Sequence, residues 1–167
     1  MLTLCFLSRR HLSALACLGI FLRLDANFRM VHESLASLCK KLLCVTGKAS
    51  NNNLALIRCF HCAAALAKDS KSRVLLCQGG MVHAGLRFLS SKNLVWGVGG
   101  EICGFLATVA ETEGGVLLCC DKRNRSREAV VYALAAMRKF GADPKGEKML
   151  SLMLSCQAMR LISSLLR

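Results

Sequence analysis

Two stretches of this chain carry a recurring pattern, and the repeat limits the fold more than any other feature. NLALIRCFHCAAALAK begins at Asn53 and NLVWGVGGEICGFLAT begins at Asn93. Superposed, they match Asn53 with Asn93, Leu54 with Leu94, Leu66 with Leu106 and Ala67 with Ala107, a period of ~40 residues. Self-similarity of that length belongs to stacked helical units. Each unit is one supersecondary element that cannot bury its apolar face without a neighbour. The expectation is an all-α solenoid formed by the whole chain, 1–167, as a single domain. Surfaces of this kind bind more often than they catalyse.

Composition agrees with helices. Hydrophobic residues make up 54% of the 167, aromatics only 5%, and there is one proline. Ala, Leu, Val, Met and Cys dominate, which favours helices packed closely through small side chains over a β-sandwich. No apolar stretch approaches the roughly 18 uncharged residues of a membrane span. The longest, Leu12 to Leu22, is about half that. A soluble chain with no membrane span is expected.

The net charge of +13 arises from 23 Lys and Arg against 10 Asp and Glu. Such an excess suits an anionic neighbour: RNA, an acidic protein face or an anionic membrane surface. It also keeps a hydrophobic chain dispersed. One compact cluster, Lys122, Arg123, Arg125 and Arg127 in DKRNRSRE, is a candidate anion or RNA contact, although a solvated loop between helices is the simpler reading.

Eleven cysteines would suggest a disulfide scaffold in a short secreted chain. Here they fall inside apolar helical runs such as LSALACLG, CAAALA and EICGFLA, where a thiol behaves as a small hydrophobe. That usage fits a reducing intracellular compartment, cytoplasmic or mitochondrial. Cys59 and Cys62 form a CxxC, yet a zinc site needs a second pair, and the nearest, Cys119 and Cys120, is adjacent and unspaced. Two core thiols on one helix face are the simpler reading, and no metal or cofactor is expected. The N-terminus lacks an acid before Asp25 and carries Arg9, Arg10 and Arg23. It reads first as a solenoid helix and second as an organellar presequence.

Apolar spacing divides the central region into helices. SRVLLCQ, from Ser72 to Gln78, is stopped by Gly79-Gly80; Met81 to Ser91 follows, with Met81, Val82, Gly85, Leu86 and Leu89 at three-and-four spacing. Asn93 is expected to cap a long third helix from Leu94 to Ala110. Gly97, Gly99, Gly100 and Gly104 lie within it, each at a cost of up to ~1 kcal/mol against alanine, so close approach of a neighbouring helix is expected there. The polar stretch Val45 to Asn53 is expected as an exposed loop. A last helix, Glu147 to Arg167, is apolar on most of its circumference and needs burial on more than one side.

In order and spacing, Ser72 to Ala110 resembles the armadillo repeat family: a short first helix, a glycine, a second helix ending in LSS, then a long third helix with a small-Ala-Leu end. The preceding third helix is Leu54 to Lys68, with Ala63, Ala65 and Leu66 at its end. Residues 53–110 carry the clearest units, and 12–45 and 111–140 look like degenerate ones. Arg127 to Met137 reads as a later third helix, and the chain between Glu111 and Ser126 is too short for a normal first and second helix. The resemblance implies a right-handed α-solenoid of about three to four irregular armadillo- or HEAT-like units, with Leu66, Leu86, Leu89, Leu106 and Leu134 buried.

In armadillo proteins that bind extended peptides, the third helices line a concave face, where tryptophans and asparagines four residues apart hold the peptide. Those positions fall here at Ala64 and Lys68, Gly104 and Thr108, and Tyr132 and Ala136. No asparagine survives among them, which argues against nuclear-signal recognition while leaving Lys68, Thr108 and Tyr132 as candidate concave-face residues. The sequence holds no phosphate loop, HExxH or GxSxG, and its four histidines, His11, His32, His61 and His83, are scattered one per helical element. Two functions follow. One is a non-enzymatic scaffold or subunit of a larger assembly, with protein partners or a second copy at the solenoid ends. The other is an RNA-associated helical-repeat protein, which would gather Arg58, Lys68, Arg87, Lys122, Arg123, Arg125, Arg138 and Lys139 on one face.

Overall fold

The computed structural model describes residues 9–21, 35–48, 52–91, 94–112 and 148–165. Among them the chain is all-helical, with no strand. The helices are α1 (Arg9–Phe21), α2 (Leu35–Lys48), α3 (Asn53–Leu66), α4 (Ser70–Gln78), α5 (Met81–Leu89), α6 (Trp96–Ala110) and α7 (Lys148–Leu165). The expected helices over Arg127–Met137 and the VLLCC remnant lie outside the described residues. No described helix is long and apolar enough to cross a membrane.

Helix α1 packs on α3, α3 on α6, and α6 on α7, so these four form a continuous row of neighbours. Helix α2 packs against α3 and α4, and α5 against α4 and α6. The two repeat helices, α3 and α6, therefore sit at the centre. Their apolar stripes meet through Phe60 and Phe105, both fully buried, with ring centroids 5.9 Å apart. Phe60 also meets Phe88 of α5 edge-on at 6.2 Å. Each such ring removed from water contributes about 1.5–3 kcal/mol, with a further increment for the tilted aromatic geometry. Leu66, Leu86, Leu89 and Leu106 are buried as expected; Leu134 lies outside the described residues.

Local chemistry explains where the helices begin and end. Asn52 caps α3, its Oδ1 accepting from the Ala55 N–H at 3.0 Å, and Asp69 caps α4 in the same way through Ser72 N–H at 2.8 Å. The turn between α4 and α5 depends on Gly80, whose φ of 86° only glycine adopts without strain. Helix α6 starts two residues later than the sequence suggests. Leu94 is buried and its N–H bonds the Ser91 carbonyl, so the chain enters the helix from an extended Val95 in place of an Asn93 cap. The expected loop Val45–Asn53 is also corrected, because α2 runs on to Lys48. Thr46 is buried within it and its hydroxyl donates to the Leu42 carbonyl at 2.8 Å, which satisfies the polar group without leaving the helix.

Close packing accounts for glycines in the row. A Cβ at Gly97 would stand 3.0 Å from Ile57 Cδ1, and one at Gly104 would stand 3.3 Å from Gln157 Oε1. Thus α6 approaches α3 through one glycine and α7 through another. At the two ends of the row, Ala158 and Leu161 of α7 are buried against the core, while Ile20 and Phe21 of α1 and Met159 of α7 remain exposed.

Candidate binding groove

The ~40-residue offset has a direct structural consequence. Two copies of one helix laid side by side present the same positions along their shared seam. Ile57 and Gly97, His61 and Glu101, Ala64 and Gly104, and Lys68 and Thr108 are all pairs of that kind, and all eight residues line one cavity of about 360 Å³. Ala65, Trp96 and Gly100 complete the α3 and α6 walls, and Gln157 and Arg160 of α7 close the far side. The volume is within the range of ligand pockets, at its small end.

The groove is graded along its length. At the helix N-terminal end stand Ile57 and Trp96. In the middle, Nδ1 of His61 donates to Oε2 of Glu101 at 3.1 Å, joining α3 to α6 across the floor. Their side chains are 25% and 31% exposed, so the coupling between them is worth about 0.2–1 kcal/mol. At the other end Lys68 is exposed just past the α3 terminus. The turn beneath it is fixed by Arg73, whose guanidinium donates to the Ala67 carbonyl at 2.6 Å and the Lys68 carbonyl at 3.2 Å. Thr108 directs its hydroxyl to the Gly104 carbonyl at 3.0 Å. Arg160 pairs with Glu111, and Gln157 Oε1 is a buried acceptor with no hydrogen-bond partner.

Of the sequence-derived candidates, Lys68 and Thr108 line this groove. Tyr132 and the cluster Lys122, Arg123, Arg125 and Arg127 lie outside the described residues. So do Arg138 and Lys139, which leaves Arg58, Lys68 and Arg87 to judge the expected basic face. Arg58 and Arg87 do not line the groove, and Arg87 instead lies over the Phe88 ring at 5.4 Å. The His61–Glu101 pair and the α7 contributions, Gln157 and Arg160, were not anticipated. The first was within reach, since its partners are repeat-equivalent. The second was not, because no repeat motif extends to α7.

The CxxC thiols are core groups. Cys59 and Cys62 are free and fully buried, and burial pushes them up to about 11 and about 12, from an ordinary 9.0. Cys62 Sγ donates to the Leu15 carbonyl at 3.2 Å, tying α3 to α1. Among the described residues no group of three or more His, Cys, Asp and Glu side chains could hold a metal ion. No family model matches this chain, and no curated protein matches it.

Proposed function

We propose that this chain is a non-enzymatic protein-interaction scaffold, an irregular armadillo- or HEAT-like α-solenoid whose groove between α3 and α6 receives a segment of a partner protein. The observation that carries the reading is the groove's construction. Repeat-equivalent positions of two helices supply its floor and walls, with small residues at Ala64, Ala65, Gly97, Gly100 and Gly104 leaving room above the backbone. Nδ1 of His61 is bonded to Glu101, which ties α3 to α6 across the groove floor. Further partner contacts, or a second copy, belong at the exposed ends of the row, at Ile20, Phe21 and Met159. The free buried thiols suit a reducing compartment.

A second reading rests on the net charge of +13: an RNA-associated repeat protein that contacts phosphates through its basic surface. One experiment separates the two. The full-length protein is used as bait in native extract with and without RNase, beside a variant carrying Ala64→Trp and Gly104→Leu to fill the groove. The scaffold reading expects protein partners that survive RNase and are lost with the filled groove. Capture abolished by RNase would put RNA binding in its place.

A further inference from the structure

We infer that the groove selects an extended peptide bearing an aliphatic or aromatic side chain at one end and a carboxylate at the other. The inference rests on the groove being the partner site. Its direction comes from which charges are already spent. Among the described residues, the one carboxylate lining the groove is Glu101, and it is bonded to His61. Of the two full cations there, Arg160 is paired with Glu111, whereas Lys68 has no carboxylate partner among the described residues and is exposed at the groove's end. A basic peptide would meet Lys68 and Arg160 with no free acid among the described groove residues to balance it. An acidic one would neutralise Lys68, and like-charge contacts disfavour the wrong partner more than complementary ones favour the right one.

The apolar end sets the other requirement. Trp96 and Ile57 stand at the opposite limit of the groove, one helix length from Lys68. The rise along α3 from Ile57 to Lys68 is about 16 Å, which an extended chain spans in roughly five residues. The ligand therefore carries its apolar side chain about four residues from its Asp or Glu. Between the two anchors the ligand backbone crosses Gly100 and Gly104, where it meets Gln157. The Gln157 amide has an acceptor with no partner in its resting orientation, so turning that amide toward a peptide N–H completes its hydrogen bonding.

The test uses the full chain and a displayed library of random peptides, with binding followed by fluorescence of Trp96, the only tryptophan in the sequence. Selected peptides should share Leu, Ile or Phe about four positions from Asp or Glu. They should also shift Trp96 emission on titration. Lys68→Glu, at an exposed position that leaves the core intact, should weaken a selected peptide by about tenfold or more and should strengthen the same peptide with Lys in place of its acid. Basic or uncharged selected peptides that still move Trp96 would overturn this inference and leave the scaffold reading standing. A library yielding no peptide that moves Trp96 would overturn both. If polyuridylate moves Trp96 and competes with every peptide, the groove is a nucleic-acid site and the inference falls.

Discussion

At the scale of single residues, one tight constraint is a glycine outside the repeated text. A Cβ at Gly19 would lie 2.7 Å from the His61 ring, which is itself held by Glu101. The ring cannot retreat without giving up that bond. Gly19→Ala should therefore cost about 1–3 kcal/mol despite alanine's higher helix propensity, measured by urea denaturation. Gly97→Ala should be close to neutral, because the atom it meets is the mobile end of Ile57. Equal effects at the two positions would contradict this geometry. The crowded helix contact at Gly97 and Gly104 was legible, since glycines inside a helical pattern need a packing reason. Gly19 was not, because its crowding depends on how α1 crosses α3, and that angle has no sequence signature. The buried thiols give a second prediction, on pH. Cys59, Cys62 and Cys103 are pushed up to about 11, about 12 and about 12. Below pH 9 these thiols are protonated in both folded and unfolded chains and do not affect stability. Above pH 9 the unfolded chain releases their protons first, so stability falls as pH rises. Each contributes a slope of up to about 1.4 kcal/mol per pH unit. Chemical denaturation between pH 7 and 10.5 should show a plateau and then a decline, and Cys103→Ala should make the decline shallower.

At the scale of elements, helix existence was legible and helix ends were not. The three-and-four spacing of Met81, Val82, Gly85, Leu86 and Leu89 predicted α5, and all five are buried. The run Asn51-Asn52-Asn53, by contrast, offers three equivalent caps to a reader of the sequence. Asn52 takes the role because its backbone is extended, with φ −123° and ψ 97°, while Asn53 is already helical. Asn52→Ala should lower stability by about 1 kcal/mol, whereas Asn53→Ala should change it by less than about 0.5 kcal/mol. The reverse order in thermal melts would place the helix start elsewhere. Helix α2 makes the complementary point. Thr46, Gly47 and Lys48 look like loop residues, yet burial of Thr46 and its bond to Leu42 hold them in the helix. Tertiary burial overrides a weak local preference, and nothing in the local sequence announces it.

At the scale of the whole molecule, the row α1, α3, α6, α7 decides which apolar surfaces are covered. The sequence indicated that the last helix needs burial on more than one side; its Ala158 and Leu161 are buried, while Cys156 and Met159 are exposed. It did not indicate against what, because the periodicity that aligns α3 with α6 stops before α7. Leu161→Ala should accordingly cost about 2–5 kcal/mol, as for any fully buried leucine. The far end of the row behaves differently. Ile20 and Phe21 of α1 are 67% and 37% exposed, and Met159 of α7 is 55% exposed. Exposed apolar surface drives association at about 25 cal/mol for each Å² hidden from water. The exposed apolar side chains at the ends of the row can meet a second copy as well as bind a different chain. Sedimentation at tens of micromolar should then show species larger than a monomer. Ile20→Lys should return the protein toward monomer without lowering its melting temperature, because that side chain is 67% exposed and not part of the buried core. A monomer across the whole concentration range, unaltered by that substitution, would remove the ends from the interaction surface and leave the groove as the sole partner site proposed for the scaffold.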